Sequence, residues 1–149
     1  RLFCYHASLE EFAEEIEDKY DLIVSNPPFY TNQFDTKNNA RNLARFENAL
    51  PFDHLIKSAK MLLSTNGVFC VILPYSEEFS FCKLANEKRL YCNEKLRVCG
   101  QKNGEIKRSL MVFSHQKQTT KTQEMFLEDG RHNYSNTYKE IAKEFYLKF

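Results

Sequence analysis

The chain has 149 residues, of which 42% are hydrophobic and 14% aromatic, so one globular domain with a substantial core is expected. No apolar run approaches the roughly 20 residues that a membrane-spanning helix needs, so no helix of this chain is expected to span a membrane. The net charge is only +1, yet residues 1–30 carry two basic and seven acidic groups, while residues 83–121 carry ten basic and three acidic groups. This asymmetry suggests a negatively charged partner on one side, although an ordinary solvated surface would explain the same counts.

The amino-terminal part predicts strands alternating with helices. The apolar residues from Leu2 to Tyr5 predict the end of a strand. Leu9 to Ile16 predicts a short acidic helix with one apolar face. Tyr20 to Val24 is apolar throughout except for Asp21, which predicts a buried strand. The polar stretch 31–50 predicts a loop with some helix.

The middle of the chain continues the alternation. Apolar residues recur at helical spacing from Phe52 to Leu63, and Asn66-Gly67 predicts the end of that helix, because glycine readily adopts the left-handed cap conformation. Gly67 to Leu73 predicts a second buried strand that ends at Pro74. Ser80 to Glu87 predicts another helix.

The carboxyl-terminal part predicts a hairpin and a final helix. Leu90–Cys99 and Ser109–Ser114 predict two strands joined by a turn at Asn103-Gly104, and Gln116–Gln123 predicts a polar connection. The segment Thr137-x-x-Glu140 is typical of a capping box at the start of a helix. The apolar face of this last helix comprises Tyr138, Ile141, Ala142, Phe145 and Phe149.

Together these elements predict an α/β fold. Apolar strands alternating with amphipathic helices indicate a parallel sheet covered on both faces, and the hairpin adds an antiparallel strand. In open α/β sheets, ligands bind at the carboxyl ends of the strands. The five cysteines include no C-x-x-C pair, which favours reduced thiols in a cytoplasmic protein over a zinc site or a disulfide framework.

The tetrapeptide Asn26-Pro27-Pro28-Phe29 follows the first buried strand. Proline fixes its own backbone and keeps the preceding residue out of the helical region, so two prolines form a rigid, extended corner. The Asn26 side-chain oxygen and a main-chain carbonyl can then accept two hydrogen bonds from one amino group. Phe29 can lie against the flat face of the group that carries that amine. A tight turn with its aromatics in the core is the structural alternative.

With YDLIVS before it, this tetrapeptide resembles motif IV of the Rossmann-like, S-adenosylmethionine-dependent amino-methyltransferases. The resemblance continues in order through NPPFYTN, ARF at 44–46, GVFCVILP at 67–74, KRSLMVF at 107–113 and NYSNTYKEIAKEFYL at 133–147. Together these segments resemble the bacterial methyltransferases that act at N6 of adenine 37 in valine tRNA. The resemblance covers nearly the whole chain.

This resemblance implies a sheet in the order 3-2-1-4-5-7-6 with strand 7 antiparallel. Tyr20–Val24 would be strand 4, Gly67–Leu73 strand 5, and the hairpin strands 6 and 7. The four glycines, at 67, 100, 104 and 130, provide no counterpart of the glycine-rich loop that holds the cofactor in this family. Residues 1–149 are therefore expected to be the carboxyl-terminal part of one methyltransferase domain, inactive alone.

The resemblance also implies roles for individual residues. It assigns catalysis to Asn26, Pro27, Pro28 and Phe29, and contacts with S-adenosylmethionine to Ser8, Leu9 and Asn26. The family usually has aspartate at the position of Ser8. It assigns tRNA contacts to a set of aromatic and basic residues: Tyr30, Arg41, Arg45, Lys102, Lys107 and Arg108.

Several alternatives stay open at this point. Asn-Pro-Pro motifs also serve enzymes that methylate guanine N2 in rRNA or glutamine N5 in release factors. An inactive fragment or a binding module derived from the enzyme would lack the cofactor loop in the same way. Because the family's first strand would lie beside Tyr20–Val24, an exposed edge there could also support a homo-oligomer.

Overall fold

The computed structural model describes residues 2–28, 51–130 and 133–146. The strands of these residues are β1 (Tyr20–Ser25), β2 (Leu63–Pro74), β3 (Tyr91–Gln101), β4 (Ile106–Ser114), β5 (Lys121–Gly130) and β6 (Asn133–Tyr134). The helices are α1 (Leu9–Glu15), α2 (Phe52–Leu62), α3 (Glu78–Glu87) and α4 (Asn136–Ala142), with a 3-10 turn at Tyr75–Glu77. Within the described ranges, the strands form one six-stranded sheet in the order β1-β2-β4-β3-β5-β6.

The strand directions bring the important strand ends to one edge. β1 runs parallel to β2, β4 is antiparallel to both β2 and β3, and β5 runs parallel to β3. Therefore β1, β2, β3 and β5 all end at the same edge of the sheet, which we call the carboxyl edge. The order β1-β2-β4-β3, with β4 antiparallel, agrees with the predicted relative order of the last four strands, whereas β5 and β6 were not predicted. The numbering of β1, β2, β3 and β4 as strands 4, 5, 6 and 7 of a longer sheet stays a prediction.

The main hydrophobic core lies on one face of the sheet. Ile56 of α2 and Phe81 of α3 are fully buried against the strands, together with Phe69 and Phe113. The ring of Phe81 lies 5.5 Å from that of Phe113, in an edge-to-face contact. Both helices follow strands of the sheet and pack on this same face.

The opposite face is open around β1. Leu22 is 58% exposed and Val24 71% exposed, because their side chains alternate with the half-buried Ile23 and point away from the helices. The expectation that both faces are covered is therefore wrong for the described residues at this strand. No helix in the described part of the chain is long and apolar enough to cross a membrane.

The predicted cap at Asn66-Gly67 is wrong. Helix α2 ends at Leu62, and Leu63 is already extended, with φ −74° and ψ 133°. The chain enters β2 directly, where Leu63 pairs with Tyr20. Gly67 has no positive φ; its small size matters instead, because an added Cβ would lie 2.7 Å from the carbonyl oxygen of Tyr20.

Other expectations have mixed outcomes. The helix from Leu9 and the hairpin with its turn at Asn103-Gly104 are confirmed. Leu2–Tyr5 forms no strand, and Lys121–Gly130 forms β5 where a polar connection was expected to extend to Gln123.

The last helix also begins differently from the prediction. Its amino-terminal cap is Ser135, whose hydroxyl accepts a hydrogen bond from the backbone N–H of Tyr138, and not Thr137. Of the expected apolar face, Ala142 is buried whereas Ile141 and Phe145 are exposed. The expected loop at 31–50 and the side chain of Phe149 lie outside the described residues.

Candidate functional site

The Asn-Pro-Pro corner emerges at the carboxyl edge. Ser25, the last residue of β1, pairs with Val71 of β2, so Asn26 comes directly after the last paired residue. Asn26 is exposed, Pro27 is buried and Pro28 is exposed. Among the described residues, no hydrogen-bond partner of the Asn26 side-chain amide is found. The corner therefore presents an exposed amide with no partner among the described residues, on a backbone that the two prolines stiffen.

Ser8 and Leu9 have structural contacts of their own. The Ser8 hydroxyl accepts a hydrogen bond from the Glu11 N–H at 3.2 Å, and the Ser8 N–H donates to the Glu11 carboxylate at 2.9 Å. Hydrogen bonds from the backbone N–H and from the side chain of Ser8 lower the pKa of the Glu11 carboxyl. Leu9 packs against the core. Ser8 is therefore the amino-terminal cap of helix α1 and forms a capping box with Glu11.

The predicted basic residues cluster at the turn between β3 and β4. Lys102 lies 6.0 Å from the ring centre of Phe126, and Lys107 lies 2.6 Å from the exposed Glu105. The hydrogen bond from Lys107 lowers the pKa of Glu105. Arg108 is exposed beside the end of β2, where it pairs with Pro74.

The direction of β4 places these residues on the same edge as Asn26. Four further predicted residues, Phe29, Tyr30, Arg41 and Arg45, lie outside the described residues. The structure thus places Asn26, Pro27 and Pro28 on the same edge of the sheet as the basic turn, and the roles of all these residues stay predictions.

A buried ion-pair network that the sequence did not reveal lies beside this edge. Glu78, only 5% exposed at the start of α3, accepts hydrogen bonds from Arg97 at 2.8 and 3.1 Å, from Lys95 at 3.0 Å and from the Ser109 hydroxyl. Burial raises the pKa of Glu78, but the hydrogen bonds from Arg97, Ser109 and Lys95 outweigh it and lower the pKa to about 2. The carboxylate is therefore charged at neutral pH and fixes α3 to β3 and β4.

A groove of about 600 Å³ runs along the open face of the sheet as far as Asn26. Its walls are mainly apolar and include Val24, Ile72, Leu96 and Leu110. Within the described ranges, no group of three or more His, Cys, Asp or Glu residues is placed to hold a metal ion. The five cysteines are free thiols.

Comparison with known proteins identifies close relatives. The chain is 52% identical over 148 residues to a Flavobacterium psychrophilum protein named tRNA1(Val) (adenine(37)-N6)-methyltransferase. It is 48% identical over 149 residues to the Flavobacterium johnsoniae protein of the same name. Both alignments cover 99% of this chain and 63% of the relative, so the chain spans less than two thirds of each. No protein-family model matches the chain.

The fold also matches a solved structure. The crystal structure of a predicted O-methyltransferase from Agrobacterium tumefaciens superposes with a TM-score of 0.66 at 12% identity, over 93% of this chain and 58% of that one. At this identity the likeness concerns the fold alone. The resemblance seen in the sequence is confirmed: over nearly its whole length the chain is similar to bacterial proteins named tRNA1(Val) (adenine(37)-N6)-methyltransferase, and its described residues have the α/β fold of the Agrobacterium structure.

Proposed function

We propose that the protein containing this chain methylates N6 of adenine 37 in a valine tRNA, with S-adenosylmethionine as the methyl donor. The relatives' names support this substrate, since they match across nearly the whole chain. The structural observation that carries the proposal is the Asn26 amide, exposed at the carboxyl edge on a Pro-Pro corner and without a partner among the described residues.

This corner suits an aromatic amine as substrate. The lone pair of an adenine amino group is delocalised into the ring, which makes the nitrogen a poor nucleophile. Hydrogen bonds from that –NH₂ group to the Asn26 side-chain oxygen and the Pro27 carbonyl favour a pyramidal, more nucleophilic nitrogen. The protein then accelerates the reaction mainly by holding this nitrogen in line with the methyl group.

The residues present fit part of a donor site. When bound, S-adenosylmethionine supplies an electrophilic methyl group. Asn26 at the carboxyl edge, the hydroxyl of Ser8 and the side chain of Leu9 would contact the donor, and all three are neutral. We propose that residues 1–149 form the carboxyl-terminal part of the methyltransferase domain and that other residues of the protein complete this site.

The basic turn supports an RNA substrate. Lys102, Lys107 and Arg108 lie on the edge where the target amine would be held, and we propose that they contact phosphates of the tRNA. The adenine must leave its stack to reach Asn26, which costs less in an anticodon loop than in a duplex. We further propose that Phe29 and Tyr30 contact the base, that Arg41 and Arg45 contact the backbone, and that the protein works in the cytoplasm.

Substitution of Asn26 tests the proposal. In the full-length protein, Asn26→Ala should slow single-turnover methylation of unmodified valine tRNA by more than tenfold, a loss above about 1.4 kcal/mol in the transition state. The melting temperature and the affinity for tRNA should stay near those of the wild type. Asn66→Ala is a matched control, because Asn66 is an exposed asparagine at the opposite end of the β2 pairing.

Two outcomes would contradict the proposal. If Asn26→Ala retains more than a tenth of the wild-type rate, the corner is only a turn. If the wild-type protein methylates rRNA or a release factor but not the tRNA, the Asn26 corner serves another planar amine. The same assay with all three substrates side by side separates these cases.

A further inference from the structure

Phe79 is a large aromatic residue whose side chain is almost fully exposed to solvent. It is 81% exposed in the first turn of α3, a helix that packs on the core face of the sheet and not on the open face. Phe79 follows Tyr75 by four residues, in the α-helix that directly continues the 3-10 turn Tyr75–Glu77, so both residues lie in the segment that leaves the end of β2. Tyr75 is itself 38% exposed.

The ring of Tyr75 is held in place from one side. The guanidinium carbon of Arg97 lies 5.2 Å from the ring centre, within the range of a cation–π contact. Arg97 is fixed in turn by its two hydrogen bonds to the buried carboxylate of Glu78. Tyr75 therefore rests on a rigid support, and its exposed part is available to a flat ligand.

These aromatics lie at the carboxyl edge among the basic residues. Tyr75 follows Pro74, the last residue of β2, which pairs with Arg108. The neighbouring strand β1 ends at the Asn26 corner on the same edge. Residues 83–121, which include the basic turn, carry ten basic and three acidic groups. An anionic partner with flat, unpaired rings fits this combination better than an apolar protein surface does.

We propose that Tyr75 and Phe79 form a stacking surface for unpaired RNA bases that flank the methylated adenine, an inference that rests on the function proposed above. Arg97 and Glu78 position Tyr75. Aromatic side chains stack on any base, so this surface captures a single-stranded loop without reading its sequence. Lys107 and Arg108 would hold the phosphates between the stacked bases.

Binding of an anticodon stem-loop RNA to the full-length protein, followed by fluorescence anisotropy, tests this surface. Phe79→Ala and Tyr75→Ala should each weaken binding about tenfold, or ~1.4 kcal/mol. Phe79→Trp should bind like the wild type, whereas Phe79→Leu should resemble Phe79→Ala, because leucine keeps apolar area but lacks a flat ring. Phe145→Ala is the control, since Phe145 is 85% exposed beyond α4.

An abasic RNA identifies the contact more directly. The bases beside the target adenine are removed one at a time. Removal of one of them should weaken RNA binding by the wild type, whereas Phe79→Ala should bind this abasic RNA as tightly as it binds the intact RNA. Unchanged binding by Phe79→Ala, wild-type binding by Phe79→Leu, or an equal loss in Phe145→Ala would each overturn the inference. If the wild type neither binds nor methylates the RNA, the proposed function itself fails; if it methylates normally and the variants match it, only the stacking surface is wrong.

Discussion

Glu78→Gln is expected to destabilise the protein by about 3 kcal/mol at pH 7. The substitution keeps the shape of the side chain but removes the charge that Arg97 and Lys95 face. The pKa of Glu78 falls from its usual value of 4.5 to about 2 in the folded protein, and each pKa unit corresponds to about 1.4 kcal/mol. The same size of effect is expected when one partner of a buried ion pair is removed.

The pH dependence of this effect has a defined sign. Because folding lowers the pKa of Glu78, its contribution is fully present above about pH 4.5 and is lost as the pH falls towards 2. The difference in unfolding free energy between wild type and Glu78→Gln should therefore shrink as the solution is acidified below pH 4.5. Denaturant titrations of the full-length protein, from pH 7 down to the lowest pH at which the wild type folds, measure this difference.

Glu105→Gln is the matched control for this measurement. Glu105 also pairs with a lysine, Lys107 at 2.6 Å, but both side chains are exposed. Pairs of this kind contribute little to stability, so the control should unfold like the wild type at every pH. A cost below about 1 kcal/mol for Glu78→Gln at pH 7, or a difference that does not shrink in acid, would refute the stabilising role of the network.

Three further outcomes are expected. The double substitution Lys107→Ala and Arg108→Ala should weaken RNA binding. The negative slope of log affinity against log salt concentration should become shallower by about 0.7 for each single-strand phosphate contact that is lost. An unchanged slope would contradict the proposed contacts. Ser135→Ala should cost about 1 kcal/mol in denaturant unfolding, because it removes the cap of α4 and a hydrogen bond to a backbone carbonyl. Gly67→Ala and Gly67→Asn should both destabilise by roughly 1–3 kcal/mol, since any Cβ would meet the Tyr20 carbonyl; tolerance of asparagine would restore the helix-cap interpretation.

Local chemistry explains the elements that the sequence predicted correctly. Asn103 has a φ of 60°, and the Gly104 N–H donates to the Gln101 carbonyl at 2.9 Å, so the turn depends on residues within the turn itself. The Asn-Pro-Pro corner is local in the same sense, because two adjacent prolines fix it wherever the preceding strand ends. Such features can be predicted without knowing which residues from distant parts of the sequence pack against them.

The errors arise where tertiary contacts outweigh local preference. No breaker follows Leu62, yet the helix ends there because Leu63 pairs with Tyr20 of β1. The segment from Lys121 is polar and has little strand character, but it forms β5 by pairing with β3 along its length. Pairing of this kind depends on a partner strand that lies elsewhere in the sequence.

The Glu78 network was missed for a related reason. Its hydrogen-bond partners lie 17, 19 and 31 residues away along the chain, on two different strands. A glutamate at a helix start, with Lys95 and Arg97 on a later strand, resembles an ordinary set of surface charges. Only the register that places Arg97 opposite Ser109 brings the partners to one buried carboxylate.

One topological feature links the Asn26 corner to the basic turn that we propose binds RNA. β4 runs antiparallel to β2, so Lys107 and Arg108, which begin β4, lie beside the end of β2 and near the Asn26 corner. If β4 were parallel, its first residues would lie at the opposite edge, far from the Asn26 corner. Because β3 and β4 form a hairpin, its turn must share the edge where β1 and β2 end. The antiparallel strand thus gives one edge of the sheet both parts that the proposed function needs: the Asn26 hydrogen-bond acceptor for a base and positive charge for the RNA backbone.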